Sequence, residues 1–192
     1  MKILISGFEP FGGREVNNSW EIAKRFGACA DIDVTGVPVS FTTAHDVIIG
    51  ALRRKKYDLV IMLGETSYTS EYVRLERLAI NYRDSVKPDN EGYIANDEEL
   101  VENAPKAYFS TIPVKEYTTY LKGLGYKVKA TNSTGTFVCN SLYYQVLRYI
   151  DENGSDTAAL FLHLPVDTNI VTLEEMEGII GATLSYFDKS VV

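Results

Sequence analysis

The chain carries two cysteines and two histidines, and one of each falls where it could react. Cys139 sits in "GTFVCNSLYYQVL", at the start of an amphipathic run that reads as a helix, and His163 lies one helix later, near the end of the apolar run "AALFLHL". A free cysteine is most often a small buried apolar residue, so its position has to argue for more. An unperturbed thiol has a pKa of roughly 8.5 and is almost wholly protonated at neutral pH. Lowering that value to near 6.5 takes about 2.7 kcal/mol of preferential thiolate stabilisation. A helix N-terminus supplies part of it and a neighbouring imidazolium the remainder. The Cys139 N–H, unpaired in a first helical turn, would also face a developing oxyanion. With a carboxylate to orient the imidazole, these are the parts of a nucleophilic acyl-transfer site. Taken alone, His163 reads more readily as a core histidine satisfied by backbone.

Elements that would position these groups alternate along the chain. Apolar runs of strand length recur as "KILIS", "VTGVPV", "DLVIML", a weaker "KVKATN" and "AALFLHLPV". They are nearly unbroken in Val, Ile and Leu, as strands buried on both faces are. Helical stretches follow or separate them: "NSWEIAKRF" with Asn17, Asn18 or Ser19 as N-cap, "TAHDVIIGALRRK", "VKEYTTYLKGLG" stopping at Gly125, "CNSLYYQVLRYIDENG" and "TLEEMEGIIGATLSYF". This alternation predicts an α/β fold, a three-layer α/β/α sandwich with a mostly parallel twisted sheet in a single domain over 1–192. The polar segment from Leu75 to Ser110 predicts shorter strands or a hairpin excursion. If "KVKATN", its helix and "AALFLHL" form a β-α-β unit, Cys139 and His163 both lie towards the carboxyl ends of neighbouring parallel strands. The loops "GFEPFGG" and "GETSYTS" open on the same edge, where open α/β sheets hold their ligands.

Composition removes several function classes. A net charge of -7 over 192 residues argues against a nucleic-acid or anionic-membrane surface. The opening "MKILISGFEPFGG" reads as a first strand rather than a secretory signal, and the expected compartment is a reducing cytoplasm. Two Cys and two His lack the paired spacing of a zinc site, and no metal or organic cofactor is expected. "GFEPFGG" has neither the Gly-Lys-Ser/Thr ending of a phosphate loop nor dinucleotide spacing. Tyr143 and Tyr144 suit either a subunit interface or packing on the sheet.

Four blocks occur in order: "GFEPFGG" with Asn17, Ser19 and Trp20 behind it, "ERLAIN" leading to "PDNEG", "GTFVCN" and "FLHLP". Together they resemble the pyroglutamyl peptidase I family of cysteine exopeptidases, and the resemblance spans nearly the whole chain. It implies a Cys–His–Glu triad of Cys139, His163 and Glu76, the last to hold the imidazole in its useful tautomer. It implies removal of an N-terminal pyroglutamyl residue from peptides through a thioester, with an apolar slot lined by Phe8, Phe11, Phe137 and Val138, and Asn17 as a polar neighbour. It also implies a homo-oligomer, commonly a tetramer. Outside its block, Glu76 would read as a solvated surface carboxylate.

Two stretches depart from the family pattern. An arginine before "PDN", thought to help stabilise the oxyanion, is matched here by Val86 in "DSVKPDN". On an extended strand Arg83 and Lys87 have the opposite parity and would face away; losing one oxyanion donor costs on the order of 100-fold in rate. A glycine-rich loop after "DLVIMLG" becomes "ETSYTS", with Glu65 at a position where glutamine is common and bulky Tyr68 crowding the loop. Two other readings follow: a divergent homologue with weak or altered acyl specificity, and a non-catalytic binding protein that keeps the fold.

Overall fold

Strand parity divides the core into two layers. In β1 (Ile3–Phe8), β3 (Leu59–Glu65) and β8 (Ala158–Leu164), Ile3, Ile5, Leu59, Ile61, Leu160 and Leu162 pack on one side, while Leu4, Val60, Met62 and Phe161 pack on the other. The computed structural model describes residues 1–66 and 70–189. On the first side lie helices α1 (Asn18–Arg25), α3 (Val114–Gly123) and α5 (Leu173–Lys189). On the second lie α2 (Ala44–Arg54) and α4 (Val138–Glu152). The result is the expected three-layer sandwich.

The six-stranded sheet has the order β2-β1-β3-β8-β4-β7, with β2 at Ile32–Val37, β4 at Val73–Glu76 and β7 at Val128–Thr131. Strands β2, β1, β3 and β8 are parallel, whereas β4 runs antiparallel to β8 and parallel to β7. This corrects one expectation. β7, α4 and β8 are not a crossover between neighbouring parallel strands, because β4 lies between β7 and β8 and both β4 and β7 run against β8. Cys139 therefore reaches the site through the loop before α4 and not from the carboxyl end of a strand parallel to β8.

The segment after Leu75 contributes the end of β4 and then a small antiparallel pair, β5 (Leu78–Ile80) with β6 (Ala107–Phe109). Asn140, fully buried one residue after Cys139, fastens that pair to α4. Its side chain accepts from the Ile80 N–H at 2.9 Å and donates to the carbonyls of Ile80 and Tyr82 at 2.9 and 2.8 Å. Tyr143 and Tyr144 are fully buried in the core on the α4 side, which settles them as packing residues of this chain.

Candidate active site

β4 and β8 bring two distant side chains together. Arg74 stands opposite His163 in the antiparallel register, and Glu76 stands opposite Phe161. Val73 and Leu75 point into the core layer of α1, α3 and α5. Parity then sends Arg74, Glu76, Phe161 and His163 to the α4 side, where Cys139 begins its helix. There Nδ1 of His163 meets Oε1 of Glu76 at 2.8 Å, and both residues are buried. The second carboxylate oxygen accepts the Thr131 hydroxyl from β7, and Arg74 Nη2 donates to Oε1 at 2.8 Å. Burial alone would raise the Glu76 carboxyl, but His163, Thr131 and Arg74 together outweigh it and hold it below the ordinary carboxylate value. An ionised Glu76 needs a hydrogen on Nδ1, which leaves Nε2 of His163 as an acceptor.

Cys139 is the second residue of α4, following the extended Phe137. Its sulfur lies against β3. A β-carbon on Gly64, the residue paired with His163 across β3 and β8, would stand 3.0 Å from Sγ and 2.8 Å from the Phe161 ring. Glycine is therefore required where the sulfur meets the strand. The expected lowering of the thiol pKa is not found. Burial pushes Cys139 up to about 12 and the Glu76 charge adds to the rise, while its own backbone N–H and Arg74 offset only part. The resting group is a neutral thiol.

A cavity of about 230 Å³ opens beside the sulfur, lined among others by Phe8, Phe11, Asn17, Phe137, Val138 and Cys139. All five residues expected in the slot thus converge on the nucleophile candidate. Phe11 and Phe41 pack against Phe137 with ring centroids 5.2 and 5.1 Å apart. Asn17 caps α1, accepting from the Ser19 N–H at 3.0 Å and donating to the Glu9 carbonyl at 3.0 Å, so it holds the loop that presents Phe8 and Phe11. The "PDNEG" block ties the neighbouring loops together behind the cavity lining. Asp89 accepts the N–H groups of Phe41, Glu91 and Tyr93, each at 2.9 Å, and Asn90 donates to the Pro10 carbonyl at 3.0 Å. Among the described residues no group of three or more His, Cys, Asp or Glu side chains could hold a metal ion, and no helix is long and apolar enough to cross a membrane.

The family model for pyroglutamyl peptidase (Peptidase_C15) matches residues 1–187. The chain belongs to the pyroglutamyl peptidase family. It is 41% identical to the pyrrolidone-carboxylate peptidase of Thermococcus onnurineus over 168 residues, 86% of this chain and 84% of that protein. Against the Bacillus subtilis protein of the same name the identity is 36%, covering 85% and 78% of the two chains. Its fold matches the crystal structure of the pyrrolidone carboxyl peptidase from Fervidobacterium islandicum AW-1 with a TM-score of 0.89 at 30% identity, over 98% and 99% of the two chains. Pyroglutamyl peptidase I of Bacillus amyloliquefaciens gives 0.87 at 29% identity, over 93% and 92%.

Within this pyroglutamyl peptidase fold the two departures take a different form from the one expected. Val86 is 94% exposed and points away, while Lys87 lines the cavity with Cys139. The parity argument fails because Val86 and Lys87 form a bend between Ser85 and Pro88 and not an extended strand. Lys87 makes no ion pair among the described residues, so its charge is available to the cavity. Glu65 has acquired partners: it is paired with Arg14 and accepts the Asn18 N–H of α1 at 3.0 Å, a favourable site for an anion at a helix N-terminus. Tyr68, expected to crowd that loop, lies outside the described residues. Sequence reasoning missed Arg74 and Lys87 as charges of the site. Only the alternation of "VRLE" could have signalled the first.

Proposed function

We propose that this chain is a cysteine exopeptidase that releases N-terminal pyroglutamate from peptides, with Cys139 as nucleophile, His163 as base and acid, and Glu76 as the orienting carboxylate. The observation that carries the reading is the buried 2.8 Å bond between His163 Nδ1 and Glu76 in a family member whose Cys139 lines a small, mostly apolar cavity. That cavity is smaller than the roughly 300 Å³ at which drug-sized ligand sites begin, and it suits a single five-membered lactam.

The neutral resting thiol defines the first step. Sγ attacks the exocyclic carbonyl as Nε2 of His163 takes its proton, so thiolate and imidazolium form only as the new bond forms. The oxyanion is received by the Cys139 N–H at the start of α4, and Lys87 is the cation available to it. His163 then gives its proton to the departing amine, leaving a thioester on Cys139. Water attacks that thioester, His163 takes the water's proton, and pyroglutamate leaves as the thiol is restored. The lactam N–H and carbonyl are the groups that distinguish the substrate from a prolyl peptide, whose binding would leave polar groups of the site unpaired.

The same reading carries a reducing cytoplasmic compartment, in keeping with two unpaired cysteines, and a homo-oligomeric assembly of the kind the resemblance implies. Release of a fluorogenic amine from pyroglutamyl and prolyl arylamides tests the reading. Turnover confined to the pyroglutamyl substrate, abolished by thiol alkylation and unaffected by chelators, supports it. Equal turnover of both substrates would refute it.

A further inference from the structure

Glu76 Oε1 is shared. His163 Nδ1 and Arg74 Nη2 both reach this one oxygen at 2.8 Å, while Oε2 is taken by Thr131. The guanidinium is itself held, since Nη2 also donates to the Ser133 carbonyl at 3.0 Å and the side chain is largely buried. Arg74 and Glu76 are two apart on β4, so the strand fixes their spacing on one face. A fully buried carboxylate is costly unless paired and hydrogen-bonded. An imidazole provides a hydrogen bond, whereas a guanidinium supplies permanent charge as well.

We infer that Arg74 is a positioning residue of this active site, holding Glu76 ionised and in place for His163 and so favouring the charge-separated state that forms as Cys139 gives up its proton. During attack the charges then alternate in sign through the site: thiolate, imidazolium, carboxylate, guanidinium. Without Arg74 the same step leaves an excess negative charge in a buried site. The other titratable or charged groups around the pair are Cys139 and Tyr143 on α4, Glu65 on β3 and Lys129, the Arg74 partner on β7. Glu65 is already paired with Arg14 and Lys129 is exposed, so neither replaces the buried guanidinium. The sequence hides this role, because a charged pair at i and i+2 on a short strand resembles a solvated edge.

The inference rests on reading Cys139 as the nucleophile, but its test does not need pyroglutamyl turnover. The exposed Cys29 is first replaced by serine. The rate of Cys139 alkylation by iodoacetamide is then followed against pH for the parent, Arg74→Gln, Arg74→Lys and Lys129→Gln. Loss of a charge this close is expected to move the midpoint up by roughly one pH unit in Arg74→Gln. Arg74→Lys should recover most of the shift, and Lys129→Gln should follow the parent. If Arg74→Gln does not fold, Arg74→Met keeps the aliphatic stem and gives the same readout. A profile that keeps its midpoint, or one that Lys129→Gln moves as far, overturns the inference. An absence of pyroglutamyl hydrolysis in the parent would overturn the proposed function while leaving the alkylation result interpretable.

Discussion

A β-carbon at Gly64 would stand 3.0 Å from the sulfur of Cys139. Nearly all real side chains keep a greater distance, and the Phe161 ring of β8, 2.8 Å from the same β-carbon, adds to the crowding. Gly64→Ala is therefore expected to displace the nucleophile without unfolding the sheet. A misplacement approaching 1 Å costs about 100-fold. Steady-state kinetics should show that loss mainly in kcat, with far-UV circular dichroism unchanged.

Lys87 and Val86 separate by the same kind of measurement. Lys87→Ala removes the cation that lines the cavity and should lower kcat by on the order of 10- to 100-fold. Val86→Arg adds a charge to a side chain that points into solvent and should leave the rate as it is. An increase in Val86→Arg would mean that the bend at these residues rearranges to bring position 86 inward.

Glu76→Gln is predicted to be severe. A glutamine amide can donate to Nδ1 and put the hydrogen on Nε2, the wrong nitrogen for a base, which in comparable triads costs about 10,000-fold. It also leaves Arg74 buried beside a neutral group, so thermal stability should fall as well.

Glu76 also gives the fold a pH dependence of definite sign. Its carboxyl is held below the ordinary value of 4.5, so the folded state releases this proton more readily than the unfolded chain. The stabilisation is present above the unfolded value and is lost as pH falls through the folded one. Urea midpoints measured downward from neutral pH should decline below about 4.5, and Glu76→Gln should flatten that decline.

The sequence made the three-layer sandwich legible because its buried strands are long and apolar and its helices amphipathic. β4 was not, since "VRLE" is short and half charged, and its charged half faces a buried polar site rather than water. The antiparallel turn of β4 and β7 was equally invisible, because periodicity within a strand says nothing about direction. For the site, the ordered blocks found Cys139, His163, Glu76 and the phenylalanine slot. Lys87 escaped because parity holds only along extended chain, and residues 86–87 bend. The raised thiol was missed for a physical reason too: helix position argues for a lowered value, but burial beside the Glu76 charge outweighs it.

The most direct measurement is the rate of amine release from a pyroglutamyl arylamide by the parent and by Cys139→Ala, at matched concentration and confirmed folding. The parent should turn over and Cys139→Ala should fall to the uncatalysed background. Release by Cys139→Ala at a rate comparable to the parent would contradict the assignment of the sulfur as nucleophile, and the mechanism built on it.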